Sequence, residues 1–406
     1  MPQAFFIESN MTGYGAEGVR LTGEKGFQVH FVTRDPDEYL DQKPSPPAMA
    51  DVVSTVETYD VVKLMHFFAD QRPDAVLAFD DYRLVQAALI GQRAGLPHAN
   101  VDGLLNCHFK DRARSLTKGI GHSIDAVLVH LSTAGHRSPL PYPCVVKPVD
   151  DSGSTGVRIC RSDEDYRAAI AAILAHPVNL RGYRCAPLAL VEEYVDGPEF
   201  TAELIWDDGL DEWRMLGFTK KLMARPPFRV ELGAMFPYRF GDPHEDARIA
   251  DVVRQWLTAV RHERGAAHVE FKLVNGVPAL IEINPRLGGD QIRELIRLTT
   301  GEDAIDLYTR LYLGMPASAP DPAARGGYAT SLYLTPPKAG LVASVTPPVT
   351  LPPGIIRSNF VTKPFAAGGV VDNDDRLGYA IAWAPDFDAS LRAAEDYVAT
   401  VDVRYE

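Results

Sequence analysis

Cysteine is scarce in this chain. Its 406 residues hold only Cys107, Cys144, Cys160 and Cys185, none in a CxxC spacing. That argues against a disulfide framework or a cysteine-held zinc and makes a reducing cytoplasm the default setting. Positive charge is short as well: 41 Lys and Arg face 54 Asp and Glu, a formal net charge of −13. Nucleic-acid binding shows as a basic surplus or patch, so nucleic acid is not expected as the main partner. No apolar run approaches the roughly 18 residues that span a bilayer, so no membrane segment is expected. The opening MPQAFFIESNM has no basic stretch followed by a long apolar one and does not read as a secretory leader. What is present is ordinary for a soluble protein with real cores, with 46% hydrophobic and 23% charged residues. At about 150 residues per domain, two or three domains are expected.

The first hundred residues alternate strand and helix signals. AFFIES (4–9), QVHFVT (28–33) and DAVLAF (74–79) read as strands; residues 61–71 and 82–94 read as helices, the second ending at Gly95. This predicts a parallel sheet covered on both faces, in a unit ending near Pro97. The segment 12–18 carries Gly13, Gly15 and Gly18 without GxGxxG spacing, and is read as a tight turn at the ligand edge of that sheet.

Further on, PCVVKPV (143–149) and VRIC (157–160) predict an antiparallel hairpin whose tip is the loop DDSGSTG. Residues 162–175 predict a helix with Ser162 as N-cap and Asp165 in its acidic first turn. LALVEEYV (188–195) and EFTAELIW (199–206) read as strands, and several short strands follow in the last eighty residues. The proline-rich stretch 346–354 is read as strand edges and turns rather than as a PxxP ligand.

HVEFKLVNGVPALIEINPRLGGD (268–290) predicts a hairpin around Asn275-Gly276. A two-residue loop pairs Glu270 with Ile281 and sends Glu270 and Glu282 to opposite faces. A three-residue loop, with Gly276 left-handed, instead aligns Glu270, Leu280, Glu282 and Asn284. The second register makes a set of hard oxygen ligands suited to Mg²⁺, and it is favoured over a merely solvated face because Ile281 and Ile283 make the other face apolar. Arg286 follows on the same face, where a planar cation can hold a phosphoryl or carboxylate group. Lys147 stands before the loop 150–156, whose backbone N–H groups can approach a polyphosphate; GxxxxGK[ST] is absent, so this is no Walker A loop. By spacing alone, the turn after Glu192 and Glu193 is undecided between an ordinary β-turn, the default, and backbone groups offered to an adenine edge with Glu199 on a ribose hydroxyl.

Taken together, VVKP with its Ser/Gly loop, EEYVDGPE and EFKLVNGVPALIEINPR resemble the ATP-grasp superfamily and its carboxylate–amine ligases, over roughly residues 110–303. FRVELGAMFP (228–237) and Gly288-Gly289 look most like its L-amino-acid ligase branch. The resemblance implies an α/β ATP-grasp fold with a parallel pre-ATP-grasp unit (1–97), an ATP-grasp domain (98–325, lid about 125–190) and a small C-terminal unit (326–406). It implies that Lys110 and Lys147 contact the nucleotide phosphates, and that Ser152, Gly153, Ser154, Thr155 and Gly156 close over them. Glu192, Tyr194 and Val195 would line the adenine pocket, with Glu199 on the ribose. Glu270, Glu282 and Asn284 would hold Mg²⁺, commonly two ions in this family, with Mn²⁺ as an alternative. Arg286 would stabilise the reacting centre, Gly288 and Gly289 would offer N–H groups to substrate, and Glu231 would hold a substrate amino group.

The implied activity is ATP-dependent, ADP-forming ligation of a small carboxylate to an amine through an acyl phosphate. Rival readings are a ligase of siderophore or antibiotic precursors or of a carrier protein, a kinase, and a nucleotide-binding module without catalysis. The basic residues Lys220, Lys221, Arg225, Arg229 and Arg239 are a candidate site for a second acidic group on the substrate. A homodimer is compatible with the resemblance.

Overall fold

The computed structural model describes residues 1–224, 230–362, 364–367 and 373–406. Its first unit is a sheet of four parallel strands, β1 (Gln3–Ile7), β2 (Gln28–Thr33), β3 (Val52–Thr55) and β4 (Ala75–Leu77), in the order β3-β2-β1-β4. Residues 4–7 of β1 are fully buried because both faces are covered. Phe6 packs on the side of the helices Tyr14–Glu24 and Ala304–Tyr312, whereas Phe5 and Ile7 face those at Val61–Phe67 and Leu84–Ala94. The parallel sheet is as expected. The tight turn over 12–18 is not: the helix begins at Tyr14, with Gly13 as its left-handed N-cap. Gly15 and Gly18 lie on that helix, where a Cβ would come within 1.9 Å of the Ser9 hydroxyl and 2.6 Å of the Phe79 ring. These glycines serve close helix–sheet packing rather than a ligand turn.

The second sheet is antiparallel, with β5 (Ala126–His130), β6 (Cys144–Pro148), β7 (Arg158–Cys160) and β8 (Leu188–Glu193) in the order β5-β8-β6-β7. The helix Asp163–Ala175 packs on it and is capped as expected. The Ser162 hydroxyl accepts from the Asp165 N–H, and the Asp165 carboxylate accepts from the Arg161 N–H.

The remaining strands are β9 (Glu199–Asp207), β10 (Glu212–Met223), β11 (Glu231–Tyr238), β12 (Ala266–Val274), β13 (Val277–Asn284), β14 (Tyr328–Leu334), β15 (Gly340–Thr346), β16 (Ile355–Phe360), β17 (Phe365–Ala367), β18 (Gly378–Ala384) and β19 (Asp402–Tyr405). Eight of them form one sheet, β13-β12-β9-β10-β11-β14-β18-β16, and β17-β15-β19 form a small one. The proline-rich stretch joins β15 to β16, as a connection should. Among the described residues no helix is long and apolar enough to cross a membrane.

Candidate active site

The site grows out of strict alternation on three neighbouring strands. Phe200, Ala202 and Leu204 of β9, Val269 and Phe271 of β12 and Phe218 of β10 pack under the helix Pro243–Ala259. The register then sends Glu199, Thr201 and Glu203, His268, Glu270 and Lys272, and Thr219 and Lys221 to the opposite face. That face is polar yet covered: each of these residues except Glu270 is buried. Buried polar groups need partners, and most of these supply one another. Lys272 donates to the Val195 carbonyl, and among the described residues the Thr219 hydroxyl has no hydrogen-bond partner.

The hairpin β12–β13 resolves its register in a way neither expected alternative contained. Val274 pairs with Val277, so the loop has two residues, with Asn275 and Gly276 at φ 50° and 78°. Further along, a β-bulge at Ile281 shifts the ladder by one, and Glu270 pairs with Glu282 and His268 with Asn284. The two-residue loop is therefore right and the separation of the carboxylates is not. Leu280 is also corrected: it pairs with Phe271 and is buried in the core rather than beside Glu270. Arg114 secures the bulge, donating to the Leu280 carbonyl at 2.6 Å and the Ile281 carbonyl at 3.3 Å.

Each carboxylate on this face meets a cation of the chain. Lys221 lies 2.8 Å from Glu270, 2.8 Å from Glu231 and 3.1 Å from Glu199. Lys110 lies 2.9 Å from Glu282 and also donates to the Asp151 carbonyl. Burial works against both ammoniums, but the carboxylates prevail and hold Lys221 well above its ordinary range and Lys110 above its own. His268 is fixed between Glu203, 2.9 Å from its Nδ1, and Glu270, 3.5 Å from its Nε2. Burial favours neutral imidazole there, yet the flanking carboxylates raise its pKa to about 9. Among the described residues no cluster of three or more His, Cys, Asp or Glu is arranged to hold a metal. The donor set Glu270, Glu282 and Asn284 nevertheless fits Mg²⁺ chemically: two in-register carboxylates already bound to cations, with an amide donating to one of them at 3.2 Å.

Opposite lies the phosphate-loop candidate. Lys147 reaches Glu192 at 2.7 Å, and Arg114 reaches the same carboxylate at 2.8 Å. Burial alone would raise the Glu192 pKa; the two cations lower it below the ordinary value. Residues 153–156 are exposed, with Gly153, Ser154 and Gly156 all at positive φ, a backbone shape that turns N–H groups toward one side. The Val195 carbonyl accepts from Lys272 at 2.8 Å, and Tyr194 lies beside the same ammonium. A narrow cleft runs between loop and hairpin, lined by Asp81, Tyr82, Lys110, Asp150, Ser152 and Glu282.

At the far end of the polar face, Glu231 shares a hydrogen bond with Asp290, which Arg376 and Tyr333 also hold at 3.0 Å and 3.2 Å. Burial raises the Glu231 pKa to about 8, opposed by Lys221 and reinforced by Asp290. A carboxyl raised in the folded state contributes stability that is complete below its unfolded value of 4.5 and lost as pH rises through about 8. Wild-type thermal stability should fall relative to Glu231→Gln between pH 5 and 8.5, because the glutamine keeps a neutral partner for Asp290 and does not titrate. Parallel melting curves across that range check this; a constant difference between the two proteins refutes it.

Gly288 sits where no side chain fits, since a Cβ would lie 2.7 Å from Glu203 and 2.8 Å from His268; its carbonyl accepts from the Tyr14 hydroxyl at 2.6 Å. Gly289 precedes the helix Ile292–Thr300 by three residues. Arg286 is held by Asp81, with Nε at 2.7 Å from the carboxylate. The expected basic cluster does not assemble among the described residues. Lys221 enters the site, Lys220 lies over the Tyr238 ring and Arg239 is exposed beside Asp246; Arg225 and Arg229 lie outside the described residues, as does Phe228. Residues the sequence reading passed over are Arg114, Thr201, Glu203 and Asp81. For Thr201 and Glu203 the signal was present, as polar residues at every second position of EFTAE.

Residues 140–294 match the ATP-grasp domain family. The chain is 28% identical over 332 residues to carnosine synthase 1 of Gallus gallus, a match covering 73% of this chain and 34% of that protein. It is 33% identical over 168 residues to the D-alanine–D-alanine ligase of Acidiphilium cryptum, covering 40% and 50%. The chain thus spans about half or less of the length of these curated relatives. The crystal structure of the L-amino acid ligase from Bacillus licheniformis matches over 100% of this chain and 99% of that one, at 17% identity and a TM-score of 0.80. That likeness establishes a shared fold, and within it residues 140–294 are the stretch that matches the ATP-grasp domain.

Proposed function

We propose that this protein is an ATP-dependent, ADP-forming ligase that joins a small carboxylate, an amino acid or close analogue, to an amine. The observation that carries the reading is the in-register pairing of Glu270 with Glu282 beside Asn284, on a buried polar face opposite Lys110, Lys147 and the loop 150–156. Its relatives are named as synthases and ligases, which supports the class of reaction. In the proposed division, residues 1–97, 98–325 and 326–406 are the three units and about 125–190 the lid, and a cytoplasmic setting fits this chemistry.

A carboxylate is a poor electrophile, so amide formation in water needs activation. One carboxylate oxygen attacks the γ-phosphorus of ATP, the bond to ADP breaks, and an acyl phosphate forms. The amine nitrogen then attacks the acyl carbon, loses a proton, and phosphate leaves. Mg²⁺, held by Glu270, Glu282 and Asn284, would supply neutralisation of phosphate charge. Lys110 and Lys147 bring ammonium groups to the phosphates, and the N–H groups of residues 152–156 orient them. Arg286 faces the acyl oxygen, where negative charge develops. Glu231 holds the amino group of a substrate, and Gly288 and Gly289 leave room for backbone N–H groups to meet it. No step needs a nucleophilic side chain; the chain positions and neutralises.

The test is ADP release from Mg²⁺-ATP with amino acids given singly and in pairs. ADP that appears only with a pair, together with a product one water lighter than its two parts, is the expected result. ADP and a stable phosphorylated product from a single compound would instead establish a kinase.

A further inference from the structure

Between the helix Asp163–Ala175 and β8, the chain leaves the second sheet as a narrow finger closed by a bridge between Val178 and Arg184. Its turn is built by Asn179, whose side-chain oxygen accepts from the N–H groups of Arg181 and Tyr183. The tip enters the crevice at the carboxyl ends of β1 and β4. There the Arg181 guanidinium donates to Asp80 at 2.9 and 3.1 Å and to the Ser9 carbonyl at 3.0 Å, and lies 3.3 Å from Glu38. The Arg181 carbonyl accepts from the Tyr59 hydroxyl at 2.9 Å, and the Tyr183 ring stacks on Tyr82 at 4.8 Å.

The same finger grips the root of the phosphate-loop candidate. Asp150 accepts from the Tyr183 hydroxyl and the Ala186 N–H, both at 2.9 Å. Asp151 accepts from the Asn179 amide at 2.9 Å and from the Tyr82 hydroxyl at 2.6 Å, and that hydroxyl is also 3.0 Å from the Ser152 hydroxyl. The two residues that open the loop are therefore tied through one short segment to the first unit of the chain.

We propose that Arg181 is a positioning residue that keeps the phosphate loop shut, by bolting the finger into the carboxyl-end crevice of the first sheet. This rests on the reading of residues 150–156 as the loop over the nucleotide. A shut loop excludes water from an acyl phosphate, so the bolt protects the intermediate as well as the nucleotide. Arginine suits the task because two nitrogens of its planar fork reach Asp80 while one of them also meets the Ser9 carbonyl, a fixed geometry that the point charge of lysine lacks. Asp80 retains Arg83 at 3.2 Å when Arg181 is lost, so the first unit should stay folded.

The experiment uses the full chain, Arg181→Ala with Arg181→Lys as the conservative variant, and hydrogen–deuterium exchange of residues 150–158 with and without Mg²⁺-ADP. Exchange in that segment should quicken roughly tenfold in Arg181→Ala, with Arg181→Lys between it and the wild type, as expected when one charge-assisted anchor of a loop is lost. With a productive substrate pair, the ratio of ADP released to amide formed should rise above one, and KM for ATP should rise more than kcat falls. Unchanged exchange in Arg181→Ala overturns the proposal. Should Arg181→Ala not fold, Arg181→Gln, which keeps most of the stem and removes the charge that meets Asp80, decides by the same exchange measurement. If no pair yields amide even in the wild type, the ligase reading fails while the exchange result still decides on the bolt.

Discussion

Replacing Arg286 by alanine should lower ADP formation with a productive substrate pair by roughly 10²–10³-fold, the usual loss when a preorganised donor facing a developing oxyanion is deleted. The guanidinium is preorganised: Asp81 receives Nε at 2.7 Å, and another of its N–H groups donates to the Leu287 carbonyl at 3.0 Å. Burial works against the charge, yet Asp81 holds Arg286 above its ordinary value, so the group stays cationic across the working range. The loss should fall on kcat and kcat/KM alike, because the contact strengthens as charge moves onto the acyl oxygen. Arg286→Lys should rescue little, since an ammonium lacks the planar fork that holds Asp81 through Nε while its other nitrogens point elsewhere. Both members of the pair are about one-fifth exposed, so losing Arg286 strands the Asp81 carboxylate and should lower the melting temperature without unfolding the protein. Full activity in the alanine variant removes Arg286 from the chemistry; a collapse of stability would make its role structural.

The parallel sheet of the first unit was legible because its strands are buried on both faces and read as short apolar runs between helices. The turn after β1 was misread for a physical reason. Glycines that let a helix approach a sheet look, in sequence, like glycines that permit a turn, and only Ser9 and Phe79 above Gly15 and Gly18 separate the two cases. At the site, Glu270, Glu282 and Asn284 could be chosen by residue type, but their meeting depends on a bulge at Ile281. Bulges have no strong local code; this one is held by Arg114, over 160 positions away from it. Lys221 was visible only as one member of a basic stretch, and alternation on β10 separates it from Lys220 and sends it among three carboxylates. Long-range partners of this kind, including Asp81 for Arg286, follow from topology and not from spacing.

Glu192→Ala should cost about 3–5 kcal/mol of stability, because it leaves buried cations without their counter-charge. The carboxylate is shared by Lys147 at 2.7 Å and Arg114 at 2.8 Å, and Glu192 and Lys147 are both 4% exposed. Arg114 retains the carbonyls of Leu280 and Ile281, so the penalty concentrates on Lys147, whose ammonium burial already pulls below its ordinary range. Glu192→Gln should lose less, since its amide oxygen still accepts one of the donated hydrogen bonds although the charge is gone. Lys147→Met combined with Glu192→Gln should recover part of the loss by removing the stranded cation. Denaturant unfolding of the four proteins checks the order, wild type above the double variant and Glu192→Gln, with Glu192→Ala last. An alanine variant as stable as the wild type would show that water reaches Lys147. Glu192 would then be free to serve nucleotide binding alone, and the same substitution should weaken ATP binding without unfolding the chain.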